Sequence, residues 1–560
     1  MKFHRILYKC LALSVVALLP FGALAQQDKF VKESTDLKDA EFRVEKESVL
    51  ELPVAGRIYS KMDKIEQLKP DTRQTYELQL VDYELPLLEP QIHAAKMERP
   101  YPEILTGNYV KGGVGSYITP YFEGVHSSLR SEKINYSVHA KHLSSVWGPV
   151  DKEFSGTSHN LLEGNAKFFT PTGDVSTYLG YDRRMVHFYG YDTLADNLEA
   201  KDLKQLYHTV KGGLEFVQNT QSYTPFQFRS GLDFHHLQDR LGARENNLQL
   251  HFRSKYELND EAFIKADLEL LFSNRKDEGV NNTRNLFYLS PSYNMEVDKL
   301  KVQAGVRIVY NSDSTMDAKS LYFYPDIQAT YQVVEDVLEA YGKITGNLHQ
   351  RTLLDFAREN PYLNSRVPLA HANEKLRFEA GVNASPTRKL GLRAGFSFNA
   401  VENLHFYVND TLNRAKFNIL YDEGNTNVLN FFAELSADFN PLKGVLKYQF
   451  YNYNTKDLAE AWHRPSSEFD LMMQYNHQDF LTIKASAYAL SGIKAMEINA
   501  ERSTTTLDPI FDLNLQGEYK VFENLSAFLA INNIFSQKYQ RYLYYNSKGI
   551  HALIGAMYTF

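Results

Sequence analysis

The sequence predicts an all-β protein: a transmembrane antiparallel β-barrel of about 22 strands, within a range of 16 to 22, preceded by a short irregular N-terminal segment. Three observations predict it. Apolar and polar residues alternate with period two through most of the 560 residues. Many alternating runs last about 11–15 residues, longer than the usual strand of about 5–6. The chain holds 37 Tyr and 35 Phe but 2 Trp, and the aromatic residues gather where runs end, as in TPYFEGV, HFYGY, LYFYP and YLYY, which suits interfacial girdles.

In chain order, residues 1–25 come first. Lys2, Arg5 and Lys9 precede an apolar stretch from about Leu11, and Ala23-Leu24-Ala25 fits a small-residue cleavage site. This pattern is a secretory signal peptide cut after Ala25; a membrane anchor fits less well because Pro20 interrupts a short run. Cys10 is the chain's single cysteine and lies before the apolar run, where lipidation does not occur, so the mature chain has no disulfide and no thiolate metal site. Residues 26–103 are charged and dotted with proline. They read as an extended periplasmic segment, a candidate substitute for a plug, with one short helix near 60–68.

The barrel is predicted over 104–560. In LRFEAGVNAS, Leu376, Phe378, Ala380, Val382 and Ala384 share one face, while Arg377, Glu379 and Asn383 share the other. The same rule sets Leu392, Phe396 and Phe398 against Arg393, Ile264, Ala266 and Leu268 against Lys265, Asp267 and Glu269, and Val302, Val306 and Ile308 against Lys301 and Arg307. Stacked soluble sandwiches would also alternate, with the apolar face inward. Long runs, short turns alternating with longer loops, and aromatic strand ends favour the barrel, which turns its apolar face to lipid. Segments from about 105–114 to 547–560 give 22 strands, with 405–425 as a long extracellular hairpin. The last ten residues, HALIGAMYTF, must pair with the first strand so that no edge stays open in lipid.

That tail, with Ile554, Tyr558 and the terminal Phe560 on one face, resembles the carboxy-terminal signal read by the barrel assembly machinery. NLSAFLAINNIFSQKYQRYLYYNSKGIHALIGAMYTF resembles the last two strands of TonB-dependent receptors, and NYVKGGVGSYITPYFEGVHSSLR resembles the start of such a barrel. YELQLVDYELPLLEPQIHAAKM is similar to the pre-barrel segment of a plug-less branch found in Bacteroidota. The resemblance implies a 22-stranded outer-membrane barrel. The family's plug exceeds the 26–103 segment in length, and no energy-coupling box follows the signal peptide.

The candidate site is a lumen lining of Arg377, Glu379, Arg393, Lys265, Asp267, Glu269, Lys301 and Arg307. Such charges either bind and select solutes or form cross-strand ion pairs on a solvated wall. Their mixed signs set no preference for anion or cation. His235-His236 cannot share a metal through one wall, because neighbours on a strand point to opposite faces. The acidic loops 274–282 and 311–317 lack EF-hand spacing and read as solvated loops. No residues form a local catalytic constellation, no cofactor is implied, and a net charge of -7 argues against nucleic acid. The expected function is passage or capture of a small solute across a Gram-negative cell outer membrane; the alternative is a structural or assembly component of an outer-membrane complex. Expected partners are outer-membrane lipid and lipopolysaccharide, the barrel assembly machinery during biogenesis, and a periplasmic or surface lipoprotein.

Overall fold

The structure, a computed structural model, describes residues 107–560 apart from 129–130, 132, 192–198, 220–223, 314–318, 365, 479 and 498–502. The signal peptide, the 26–103 segment and the helix expected near 60–68 lie outside the described residues.

Alternation becomes a single closed wall. Its strands are β1 (Tyr109–Gly115), β2 (Thr119–Ser127), β3 (Ile134–Ser145), β4 (Thr157–Thr170), β5 (Gly173–His187), β6 (Lys204–Gln218), β7 (Phe226–Asp239), β8 (Arg244–Asn259) and β9 (Ala262–Asp277). The short β10 (Val280–Thr283) only prolongs the hairpin out of β9. The wall continues with β11 (Leu286–Val297), β12 (Leu300–Asn311), β13 (Leu321–Val334), β14 (Leu338–His349), β15 (Ala372–Thr387), β16 (Leu390–Asn409), β17 (Phe417–Phe439), β18 (Leu442–Asn454), β19 (Ser467–His477) and β20 (Leu481–Ser491). A small loop hairpin, β21 (Lys494–Glu497) with β22 (Ser503–Thr506), precedes β23 (Ile510–Phe522) and β24 (Leu525–Asn532). A second, β25 (Gln540–Tyr542) with β26 (Tyr545–Asn546), precedes the last strand, β27 (His551–Thr559).

Without the five short loop strands, 22 antiparallel strands remain, each paired with its neighbour in the wall, and β27 pairs with β1 to close it. Each predicted segment has its observed strand, and the count agrees with the expectation. Closure leaves no unpaired edge, which is the condition for a sheet in lipid. Ile554 faces Val114 and Tyr558 faces Val110 across the seam, and the Phe560 amide donates to the Asn108 carbonyl (2.9 Å). Ile554, Tyr558 and Phe560 are 59%, 51% and 62% exposed on the outer face.

That outer face carries the exposed apolar residues, among them Leu268, Phe323, Phe396 and Phe431, while the intervening positions turn into the lumen. Among the described residues no helix is long and apolar enough to cross a membrane. The two rims differ. One has two-residue turns at 171–172, 260–261, 298–299, 388–389, 440–441 and 523–524, and both ends of the described chain lie there. The other carries the long connections 188–203, 350–371, 455–466, 492–509 and 533–550.

Wall height is uneven. The seam strands β1, β2, β24 and β27 have 7, 9, 8 and 9 residues, whereas β16 and β17 have 20 and 23. At the seam the inner face is filled from a neighbour: Phe528 of β24 lies over Gly555 and Gly113, so that a Cβ on Gly555 would meet its ring at 2.6 Å. Lys111 caps the same ring at 4.2 Å from its centroid.

Candidate functional site

The tall side of the wall builds the first part of the site. The β16–β17 hairpin rises past the other strands and is buried on both faces. Tyr407 and Phe417, on its inner face, are 2% and 0% exposed. On its outer face Phe406 and Val408 pack with Trp462 of the 455–466 connection, and Leu458 and Met496 flank them.

Beneath the hairpin lies the 350–371 connection with the short helix α1 (Leu353–Glu359). Its start is set locally. The Asp355 amide donates to Thr352 Oγ1 (3.1 Å), and the Thr352 amide donates to Asp355 Oδ2 (2.9 Å), a reciprocal cap. The buried Glu245 of β8 accepts from the Leu353 and Leu354 amides (2.8 and 3.3 Å), so a carboxylate from the wall meets the positive end of the helix. At the other end, Glu359 pairs with Arg464 (3.4 Å) and His405 (3.0 Å), and Tyr542 donates to the Glu359 carbonyl (2.7 Å). Burial opposes ionisation of Glu359, but Arg464 and His405 outweigh it and hold the carboxyl below its usual range.

The same helix packs against Tyr189, Leu237, Tyr407, Phe417, Tyr542 and Tyr545, which come from β7, the β16–β17 hairpin and the 188–203 and 533–550 connections. Tyr362 stacks on Tyr545 with ring centroids 3.7 Å apart. These elements stand on different sides of the ring of strands, so their common core is a cap across the long-loop rim. His463 binds three of its parts. Its Nδ1 lies 2.7 Å from the Tyr407 carbonyl, so that nitrogen carries the proton; its Nε2 accepts from the Leu543 amide (3.2 Å); and its own carbonyl accepts from Arg541 (2.7 Å). Burial pushes His463 down to about 3, consistent with a neutral ring used as donor and acceptor at once.

The acidic loops expected to be solvated serve the cap instead. Asp277 is buried against Arg275 (2.8 Å) and accepts from the Arg366 amide (3.0 Å), and Arg275 donates to the Val367 carbonyl (2.5 Å). Asp313 is buried against Arg284 (2.5 Å), which also donates to the Arg351 carbonyl (2.9 Å). Asp277 is the last residue of β9 and Asp313 lies just past β12, and each is paired with a guanidinium group that also bonds the 350–371 connection. No group of three or more metal-ligating side chains occurs among the described residues. His235 and His236 go to separate partners, Glu245 at 3.5 Å and Asn246 at 2.8 Å.

The second part is the lumen wall below. Arg377, Glu379 and Arg393 come together: Glu379 takes Arg377 at 2.7 Å and Arg393 at 3.0 Å, and accepts from Tyr341 (3.1 Å). Lys265, Asp267 and Glu269 follow one another along the inner face of β9, and Arg307 of β12 donates to Ser290 (3.2 Å), which faces Asp267. Lys301 stands apart, paired with Glu296 (2.8 Å). Sequence reasoning named neither the cap core nor Arg229 and Arg253 of this wall. The Thr352-Leu-Leu-Asp355 capping pattern was the one available signal for α1.

No protein-family model matches the chain, and no curated protein does. Solved structures do. The FrpB iron transporter from Neisseria meningitidis (F3-3 variant) superposes with a TM-score of 0.61 at 12% identity, over 81% of this chain and 81% of that one. The siderophore receptor PirA from Acinetobacter baumannii gives 0.61 at 11%, over 81% and 80%. P. aeruginosa FpvA, in complex with heterologous pyoverdines, gives 0.60 at 14%, over 81% and 71%. These matches give no support to the narrower resemblance to a Bacteroidota branch, and they do not test the absence of a plug. The described chain therefore has the closed 22-stranded barrel fold of the TonB-dependent receptors.

Proposed function

We propose that the protein is an outer-membrane barrel that passes or captures a small solute. The observation that carries this reading is the inner wall, where ionised and hydroxyl side chains line β9 to β20 beneath a cap made of loops. An apolar outside and a charged inside suit a lumen that handles polar molecules within a lipid layer. The neighbouring folds named as an iron transporter, a siderophore receptor and a ferric-catecholate import receptor support uptake as the class of activity. In this reading the charged wall, including Arg377, Glu379, Arg393, Lys265, Asp267, Glu269, Lys301 and Arg307, supplies polar contacts, the cap gates the outer mouth, and residues 26–103 act at the periplasmic mouth. No catalytic step is assigned.

The cap favours a second reading, a non-transporting structural or assembly component. Its hairpin is packed on both faces, and the buried Arg275–Asp277 pair holds the 350–371 connection through the Val367 carbonyl, as a permanent closure would.

Planar-bilayer conductance of the refolded full chain separates the two, beside a chain lacking residues 26–103 and one with 353–367 replaced by a short Gly/Ser linker. Large steps when either segment is removed support a gated path. Silence in all three, with the barrel folded, overturns transport and leaves the structural role.

A further inference from the structure

Cations on most of the lumen wall face carboxylates across the ladder. Lys447 faces Glu434 (3.2 Å), Lys443 faces Asp438 (2.8 Å) and Lys301 faces Glu296 (2.8 Å). Two successive rows of β7, β8 and β9 break this rule. Arg229 stands directly opposite Arg253, and Lys255 directly opposite Lys265. Like charges in register cost a sheet stability, so an arrangement that repeats on adjacent rows needs something to offset it.

The wall offsets it in part. Lys255 bonds Glu257 (3.0 Å), and the Lys255 and Lys265 ammonium groups lie 4.6 and 5.2 Å from the centroid of the same Phe263 ring. Asp267 faces Arg253 in register. Glu269, the next inward residue, faces His251 in register and accepts from Gln249 (2.5 Å). Asp267 and Glu269 thus stand beside Arg253, and Glu215 and Asp233 lie one row further on against His251 (3.8 and 3.7 Å), so the distinctive feature is the arginine pair in register rather than a net excess of cations. Arg229 and Arg253 are both exposed on the lumen face. Two planar forks side by side match the oxygen spacing of a carboxylate or a phosphate.

We infer that Arg229 and Arg253, with Arg307 and Lys265 beside them, form an anion site that takes a carboxylate or phosphate group inside the lumen. The inference rests on the solute reading above and supplies its chemical class. The site lies toward the short-turn rim: Lys255 and Lys265 flank the 260–261 turn, and the described chain begins on the same rim. The anion has two candidate sources, which the test distinguishes. One is a soluble polyanion. The other is the chain's own stretch 74–95, QTYELQLVDYELPLLEPQIHAA, which has Glu77, Asp82, Glu84 and Glu89 and no lysine or arginine.

The test uses the full chain in nanodiscs, with citrate as probe and calorimetry as readout. Heat-modifiable mobility on gels checks that each variant is folded. Native protein is expected to bind citrate saturably. The Arg229→Gln/Arg253→Gln variant should bind about tenfold more weakly or worse, since two charge-assisted bonds are lost. A Glu434→Gln/Lys447→Gln variant, altered at a paired row, should bind as native protein does. A Glu77→Gln/Asp82→Asn/Glu84→Gln/Glu89→Gln variant with tightened binding identifies the chain's own segment as the resident anion; unchanged binding identifies a free solute. Absence of saturable binding in both the native and the four-carboxylate chains, or equal binding by the double-arginine variant, overturns the inference. Arginine-dependent citrate binding alongside silent bilayers would keep the anion site and reject transport; conductance with arginine-independent binding would do the opposite.

Discussion

His463 shows how one side chain ties a closure to pH. Its geometry needs a neutral ring, because a second proton would set an N–H against the Leu543 N–H. An unfolded histidine takes up that proton near 6.5, whereas His463 resists it down to about 3, as does His371. Between these values the unfolded state binds more protons, so the cap loses stability as pH falls from about 6.5. Protection factors at residues 350–371 and 455–466, with the intrinsic pH dependence of amide exchange divided out, should therefore fall between pH 7 and 5, while those of strand amides in the wall hold. Constant protection factors across that range would refute this. Gly555 is the residue-scale key to the seam. Gly555→Val would force its side chain into Phe528 and the Gly112 carbonyl, and should cut the yield of heat-modifiable barrel severalfold, with Ala556→Val on the outer face as the tolerated control. Neither residue announces itself in the sequence: what each does depends on a neighbour supplied by another strand.

Strands are the scale at which the sequence speaks most clearly. Two-faced runs such as 300–311 and 390–409 must place one face in lipid, so their number and direction follow from period and turn spacing. The tall hairpin was legible as a hairpin, because its flanks alternate through 405–425. Its inward lean was not, because Tyr407 and Phe417 find their partners in α1 and in Tyr542, more than a hundred residues away in the last case. Phe417→Ala removes the centre of that packing and should cost the cap about 3–5 kcal/mol of local stability, read as faster proteolysis in 350–371 with an intact barrel. Glu245→Gln should be milder, about 1–2 kcal/mol, since the amides of α1 keep an acceptor but lose its charge. Alternation in the sequence sets Arg377, Arg393 and Lys265 on the polar face of their strands. Which of them pair was not legible, because a one-residue difference in register exchanges every partner.

At the scale of the whole molecule, the two rims face different tasks. The long-loop rim carries a folded cap, and the short-turn rim is where the described chain begins and toward which the Arg229–Arg253 pair lies. Accessibility should follow this polarity: in sealed vesicles of known orientation, Arg229→Cys should react with a charged thiol reagent applied from the short-turn side and stay silent to reagent applied over the cap. Labelling from the cap side alone would show that the cap is open. Strand height gives the molecule a further property. A seam of strands only 7 to 9 residues long has far fewer backbone bonds to part than the wall strands of 20 and 23. Under mechanical load applied at either terminus, extraction from the membrane should begin with small force steps as β27 or β1 peels away, and resistance should peak in mid-chain when the tall hairpin is drawn out. A barrel with an even wall would yield a flat series of forces; this one should behave like a zip with its weakest teeth at the fastening.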